Sequence, residues 1–269
     1  MALLHRCQAA AALRLLACAG LLGVAGCGTA TGPTCPVTGS PTCVRVLFLG
    51  NSYTYENDLP ETFARLARSG GHLVQVAMVA GGGETLAEHA RSADSLGKIS
   101  SQTWSFVVLQ EQSETPATST GARYYTYPAA RQLASRAQAA GATPMFFMTQ
   151  AHRDGIPGSP TPTYETMQLA IDESYLEIAD ELGVPVAPVG FTWFVVRREH
   201  PEIELWQTDG SHPSTAGTYL AACVFYASIF RESPEGLSYE DGLPEAQASV
   251  LRMEAGTNVL DLSGQWGLR

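Results

Sequence analysis

The apolar positions of this chain fall into short runs that alternate with longer segments of helical periodicity. A short apolar run is typical of a buried strand, whereas apolar residues spaced three and four apart are typical of a helix. The runs predict five strands, at Val44–Leu49, Leu73–Val79, Phe106–Leu109, Pro144–Met148 and Pro185–Val189. The segments between them predict four helices, at Leu59–Arg68, Leu86–Leu96, Tyr127–Ala139 and Thr163–Leu182.

This alternation of strand and helix predicts a parallel sheet that is covered by helices on both faces, because parallel neighbours need long crossover connections. Sheets of this kind bind their ligands at the carboxyl ends of the strands. The residues that follow the predicted strands are polar or rich in glycine, and they are found at 50–52, 80–83, 110–113, 149–152 and 190–193. Functional side chains are therefore expected at these five exits.

The first 26 residues predict a signal peptide. They contain Arg6 and Arg14 and no acidic residue, and an apolar stretch at 15–25 follows that is short for a membrane span of about 20 residues. The stretch ends in Val24-Ala25-Gly26-Cys27, which resembles the lipobox of bacterial lipoproteins. That resemblance implies that Cys27 is lipidated and becomes the new N-terminus, with an ordinary signal sequence as the alternative.

A lipidated Cys27 would place the protein outside the cytoplasm, anchored to the bacterial cell envelope through lipid only. Without residues 1–26 the chain has 14 basic and 26 acidic residues, a formal net charge of −12. Such an acidic protein repels phosphate backbones, so nucleic acid is not expected as a partner. The sequence does not identify a protein partner.

Residues 27–43 are rich in Gly, Pro, Thr and Ser and predict a linker, so residues 44–269 are expected to form one folded domain. Cys35 and Cys43 lie on either side of this loop. In an exported protein they predict a disulfide that staples the linker to the first strand. Cys223 belongs to an apolar helical run and is expected to be a buried, inert thiol.

Ser52 follows the first predicted strand directly, and it is a candidate nucleophile. A serine hydroxyl attacks an ester at neutral pH only when a base takes its proton, and histidine oriented by an acid is the usual base. The segment "TDGSHPS" supplies Asp209 and His212, three residues apart. Taken alone, each segment has a plainer interpretation as a helix cap or a surface turn.

An acyl-transfer site also needs hydrogen-bond donors for the oxyanion. Gly83, in "AGGGETL", can present a backbone N–H because it has no side chain to obstruct approach. Gln110 and Gln112, in "VVLQEQSE", can present side-chain amides after the third strand. Glycine loops and solvated glutamines are the structural alternatives.

These segments together resemble the four conserved blocks of the SGNH (GDSL) hydrolases, in the family's order and spread over residues 46–217. The resemblance implies a three-layer α/β/α sandwich with a five-stranded parallel sheet, which is a flavodoxin-like fold. It makes Ser52 the nucleophile, His212 the base and Asp209 its orienting partner. It also implies an oxyanion hole formed by the N–H groups of Ser52 and Gly83 and by an amide side chain.

Two positions depart from the family's pattern. Asn51 stands where the family usually has aspartate before the serine, and little loss is expected because that aspartate is not the nucleophile. The third block usually contains Gly-x-Asn-Asp, but this chain has Gln110-Glu111-Gln112-Ser113. Alignment with the asparagine favours Gln112, whereas some carbohydrate acetylesterases use a glutamine directly after the strand, which would be Gln110.

The sequence therefore predicts an enzyme, a serine carboxylic ester hydrolase that needs no cofactor and no metal. Export, acidity and polar exits favour release of a small acyl group, especially acetyl, from an extracellular or envelope carbohydrate. The alternatives are a lipase or lysophospholipase-like esterase and a non-catalytic binding module on the same fold. His152, Arg153 and Trp193 are candidate substrate-binding residues, with a solvated loop and burial in the core as the alternatives.

Overall fold

The computed structural model describes Cys35 and residues 43–268. Five strands form one sheet in the order β2-β1-β3-β4-β5, and all four neighbouring pairs are parallel. The strands are β1 (Cys43–Gly50), β2 (Leu73–Ala80), β3 (Phe106–Leu109), β4 (Thr143–Phe147) and β5 (Val186–Ala187). This sheet confirms the predicted parallel α/β architecture.

Ten α-helices connect or follow the strands within the described residues. They are α1 (Ser52–Tyr55), α2 (Leu59–Ser69), α3 (Leu86–His89), α4 (Ala93–Ser100), α5 (Ser119–Gly121), α6 (Tyr127–Ala139), α7 (Tyr164–Leu182), α8 (Val189–Glu199), α9 (Thr215–Phe230) and α10 (Glu245–Leu260). A 3-10 turn at Glu56–Asp58 and a π-helical turn at Ala122–Thr126 complete them. None of the helices between residues 43 and 268 is both long enough and apolar enough to cross a bilayer.

The helices form a layer on each face of the sheet. On one face α2, α9 and α10 pack together, and Phe225 of α9 lies edge-on to Phe48 of β1 with ring centroids 5.3 Å apart. On the other face α6 packs against β3, β4, α3 and α7. Helix α9 is buried on every side from Ala216 to Ile229, which explains its uniformly apolar sequence. Cys223 is fully buried there, and burial raises the pKa of its thiol.

Two predicted elements differ from the structure by more than one residue at an end. The segment predicted as one helix over 86–96 forms two helices, because the Ser92 side chain accepts a hydrogen bond from the N–H of Ser95 and so begins α4 anew. The predicted fifth strand ends at Ala187 instead of Val189, since Pro188 has no N–H to continue the ladder and α8 begins at Val189.

The N-terminal predictions have different outcomes. Residues 1–26, predicted as a signal peptide, and Cys27, predicted as the lipidated residue, lie outside the described residues, as does most of the predicted linker. Cys35 is joined to Cys43 by a disulfide with a Cα–Cα distance of 5.7 Å. That distance lies within the usual range for a disulfide, and the bond ties Cys35 to the start of β1.

Candidate active site

The sheet register brings the strand exits to one edge. Gly50 of β1 pairs with Ala80 of β2, and Leu49 pairs with Leu109 of β3. The segments at 51–52, 81–86 and 110–113 therefore leave the sheet side by side at the carboxyl ends of three neighbouring strands. This edge is where a sheet of this type holds its ligand.

Asn51 forms the sharp turn between β1 and α1 and places Ser52 at the first residue of the helix. Its side-chain Oδ1 accepts hydrogen bonds from the N–H of Tyr53 at 3.1 Å and from Nε2 of Gln110 at 2.9 Å. Its Nδ2 donates to the carbonyl oxygen of Glu84 at 3.1 Å. The residue in the family's aspartate position thus caps the helix and connects three strand exits.

Ser52, His212 and Asp209 form a continuous chain of hydrogen bonds. The Oγ of Ser52 lies 2.9 Å from Nε2 of His212, and Nδ1 of the same imidazole lies 2.6 Å from Oδ2 of Asp209. Oδ1 of Asp209 also accepts the N–H groups of Ser211 at 2.9 Å and His212 at 3.0 Å. Residues 160 positions apart in the sequence therefore meet at one side of the sheet.

The electrostatics of Asp209 favour the ionised carboxylate. Burial opposes ionisation, but the hydrogen bonds from the His212 imidazole and from the N–H groups of Ser211 and His212 outweigh it. The pKa of Asp209 falls to about 2 as a result. A carboxylate at this position keeps a proton on Nδ1 of His212 and leaves Nε2 free to accept one from Ser52.

Side chains and backbone from other segments hold the Asp209–His212 loop in place. The hydroxyl of Tyr53 lies 2.8 Å from Oγ of Ser211, and the edge of its ring faces the His212 imidazole at 5.9 Å between centroids. The N–H of Arg153 donates to the carbonyl oxygen of Gly210 at 2.7 Å. Burial raises the pKa of Tyr53 to about 12, so its hydroxyl remains protonated over the physiological range.

The two candidate glutamines have different environments. Gln110 is fully buried, and its Nε2 donates both protons within the protein, to Oδ1 of Asn51 at 2.9 Å and to the carbonyl oxygen of Glu111 at 2.6 Å. The alternative in which Gln110 donates to an oxyanion is therefore wrong, because its amide has no proton left. Gln112 is half-buried, and its Nε2 has one long contact of 3.4 Å, to Oγ of Ser113.

Gly83 lies in the loop that joins β2 to α3. Its φ of +69° falls in the left-handed region, and a Cβ built there meets no other atom within 4 Å. The backbone conformation, and not crowding, therefore requires glycine at this position. The same loop is fixed after Gly83 by the hydrogen bond from Asn51 to Glu84.

His152 and Arg153 follow β4 and lie beside the Asp209–His212 loop. Nε2 of His152 is 3.1 Å from Oγ of Ser113, and burial lowers the pKa of this imidazole. The side chain of Arg153 covers Gly210, where Nη2 would be 3.3 Å from an added Cβ. Arg153 also lies 3.7 Å from the carboxylate of Glu204.

Trp193 is not at the site edge, and the prediction that it binds substrate is wrong. The residue lies on the inner side of α8 and is fully buried against Trp206, with ring centroids 5.3 Å apart. The reason is the early end of β5, which turns the expected exit at 190–193 into helix. Within residues 43–268, no group of three or more His, Cys, Asp or Glu side chains could hold a metal ion.

Sequence reasoning missed two residues that build this site. Tyr53 was recognisable only as an aromatic residue next to Ser52, and its contact with the His212 loop depends on the fold. Glu111 is fully buried, and its Oε1 accepts hydrogen bonds from the N–H groups of Leu86 and Gln112. A charged residue directly after a buried strand was the available signal, and it was masked by the glutamines on both sides.

A serine at a strand exit, hydrogen-bonded to a histidine that an aspartate orients, is the geometry by which serine hydrolases are recognised. Comparison with solved structures agrees with this class. The chain is similar to a protein from Slackia heliotrinireducens assigned to the SGNH hydrolases, with 32% identity and a TM-score of 0.60, over 70% of this chain and 99% of that one. The chain belongs to the SGNH (GDSL) hydrolase family.

Two further solved structures share the fold at lower identity. One is an acetyl xylan esterase, with 14% identity and a TM-score of 0.55 over 69% of this chain and 100% of the other. The second is a lipase/acylhydrolase from Enterococcus faecalis, with 16% identity and a TM-score of 0.52 over 71% and 98% of the two chains. Neither a family model nor a curated protein matches the sequence.

Proposed function

We propose that Ser52 is the nucleophile of a serine esterase, with His212 as its general base and Asp209 as the group that orients His212. Nε2 of His212 takes the hydroxyl proton as Oγ of Ser52 bonds to the acyl carbon, and the π electrons of the carbonyl move onto its oxygen. The continuous hydrogen bonds from Ser52 to Asp209 are the observation that carries this proposal.

The oxyanion is stabilised by three donors in this proposal: the N–H of Ser52, the N–H of Gly83 and the Nε2 group of Gln112. Each donor of this kind typically contributes about 10²- to 10³-fold in rate. Collapse of the tetrahedral intermediate breaks the ester C–O bond, and His212 returns its proton to the departing alkoxide. Water then attacks the acyl-enzyme with His212 again as base, and Ser52 regains its proton as the acid is released.

The substrate we propose is a small acyl ester, especially an acetyl ester, of an extracellular or envelope carbohydrate. Polar groups lie close to the His212 loop: the hydroxyls of Tyr53 and Ser211, 2.8 Å apart, and the imidazole of His152 with the hydroxyl of Ser113, 3.1 Å apart. Hydroxyl and imidazole groups suit the hydroxyls of a sugar better than an alkyl chain. The proposal includes export and a lipid anchor at Cys27, the context in which an envelope saccharide would be met.

Release of acetate across a panel of esters tests this substrate class. We expect kcat/KM to be at least about tenfold higher on acetylated xylan or peptidoglycan fragments than on a long-chain ester or a lysophospholipid. An alkyl chain would remove water from the polar groups beside the His212 loop without replacing their hydrogen bonds, which is costly. A preference for the long-chain ester would favour the lipase-like alternative instead. Failure of a fluorophosphonate to label Ser52 would favour a binding module on the same fold.

Asp209→Asn is expected to lower kcat by about 10³- to 10⁴-fold, because an amide no longer fixes the proton on Nδ1 of His212.

In the unaltered enzyme, Asp209 stays ionised down to about pH 2, far below its unfolded value near 3.9. Protonation of Asp209 should therefore not limit the rate under mildly acidic conditions. The pH profile of kcat/KM should therefore contain no step caused by Asp209 between about pH 6 and pH 4.

The pKa of Asp209 is lower in the folded than in the unfolded protein, so its ionised carboxylate stabilises the fold above the unfolded pKa. This stabilisation is lost only as the pH falls toward the folded value of about 2. Uptake of a proton by Asp209 between about pH 6 and pH 4, seen as a shift of its carboxyl carbon resonance in an NMR titration, would mean that its pKa is not depressed. Such a result would contradict the carboxylate geometry described above.

A further inference from the structure

Glu111 connects the two segments that carry the proposed oxyanion donors. Its Oε1 accepts one hydrogen bond from the N–H of Leu86 at 3.0 Å, in the loop and helix that follow Gly83. The same oxygen accepts a second from the N–H of Gln112 at 2.8 Å. A single carboxylate oxygen therefore joins the exit of β2 to the exit of β3.

Burial and backbone hydrogen bonds fix the position of Glu111. The residue is fully buried, its N–H donates to the hydroxyl of Tyr175 at 3.1 Å, and its carbonyl oxygen accepts from Nε2 of Gln110 at 2.6 Å. The other carboxylate oxygen, Oε2, is buried and has no hydrogen-bond partner among the described residues. A buried carboxylate with an unpartnered oxygen is costly, and burial raises its pKa.

Leu86 is the first residue of α3, so its N–H has no partner within that helix. Glu111 supplies that partner, while Asn51 holds the neighbouring carbonyl of Glu84. The loop that contains Gly83 is thus fixed before Gly83 by the pairing of Ala80 with Gly50 and after it by these two side chains. Within the described residues, no other side-chain hydrogen bond joins this loop directly to the backbone of Gln112.

We infer that Glu111 is a positioning residue for the oxyanion hole, which sets the distance between the N–H of Gly83 and the side chain of Gln112. This inference rests on the proposed function, because it acts through the donors named there. Glu111 does not touch the reacting atoms and takes no proton in the reaction. Its effect is exerted on the transition state, where donors must meet the oxyanion within a few tenths of an ångström.

The test compares Glu111→Ala with Glu111→Gln in the full-length chain. Glu111→Ala leaves two N–H groups without an acceptor, so we expect kcat on p-nitrophenyl acetate to fall by about 10- to 100-fold while KM changes by less than about threefold. The inhibition constant of a trifluoromethyl ketone, whose hemiketal oxygen occupies the oxyanion position, should rise by a similar factor. Glu111→Gln keeps an acceptor oxygen at the same place and should restore most of the rate.

Glu254→Ala is the matched control. Glu254 is a half-buried carboxylate on α10 that accepts hydrogen bonds from Nε2 of His200 at 3.2 Å and from Nδ2 of Asn258 at 3.1 Å. Its removal also costs two hydrogen bonds, so we expect the melting temperature to fall in both variants. We expect kcat to fall in Glu111→Ala and to stay unchanged in Glu254→Ala. An equal loss of kcat in Glu254→Ala and Glu111→Ala would overturn the inference.

Glu111→Asp keeps the test decisive if Glu111→Ala does not fold. Its carboxylate is one methylene shorter and cannot reach both N–H groups from the same backbone position, so kcat should be at least about fivefold below that of Glu111→Gln. Equal kcat values in these two variants, or full activity in Glu111→Ala, would overturn the inference. Failure of the proposed function would look different, since Ser52→Ala would then retain activity whatever stands at position 111.

Discussion

Ser52→Ala is expected to lower kcat/KM on p-nitrophenyl acetate by at least about 10⁵-fold. The substitution removes the atom that bonds to the acyl carbon, and the neighbouring hydroxyl of Tyr53 cannot replace it because its pKa of about 12 keeps it protonated. The fold should persist, since Oγ of Ser52 makes its one hydrogen bond in the described residues to His212, worth about 1 kcal/mol.

A matched serine separates this effect from general damage. Ser228→Ala removes a hydroxyl that is buried in α9 and has no hydrogen-bond partner among the described residues, so its kcat/KM should stay within about twofold of the unaltered enzyme. Hydrolysis and fluorophosphonate labelling should both be lost in Ser52→Ala and retained in Ser228→Ala. A folded Ser52→Ala protein that still turns over the ester would refute the nucleophile assignment.

The strands that hold Ser52 were predictable because their signal is local. Val46 to Leu49 and Val107 to Leu109 are fully buried, and contiguous apolar runs are what central parallel strands require. The bounds predicted for β3 and α6 match the structure to the residue. The fifth strand was overestimated because Pro188, the residue that ends it, was included in an apolar run that continues from the strand into α8.

Helix α10 shows a signal that was present in the sequence and not used. Ala248, Leu251, Ala255 and Val259 are spaced three and four apart, and all four are fully buried. This stripe packs on α9 and completes the layer on that face. Its small residues make the stripe inconspicuous beside the large apolar residues of α9, although the spacing is that of an amphipathic helix.

The positions of the candidate site residues follow partly from sequence and partly from packing. The sequence placed Ser52 at a strand exit, and the family resemblance assigned Asp209 and His212 as its partners, but the choice between Gln110 and Gln112 needed the backbone. Gly50 is the reason that Gln110 points into the protein. A Cβ at position 50 would lie 2.3 Å from Oε1 of Gln110, so the absence of a side chain there lets Gln110 turn inward beneath the Asn51 turn. Such close approaches between distant segments leave no mark in either segment alone.

His212→Ala is expected to lower kcat/KM about as much as Ser52→Ala, because the hydroxyl is a poor nucleophile without the base that lies 2.9 Å away. The double variant should lose little more than either single one, since the two groups act as a unit. His200→Ala offers a control, because this histidine contacts Glu254 on α10. Independent, additive losses in the double variant, or undiminished turnover in a folded His212→Ala protein, would show that the imidazole does not activate Ser52.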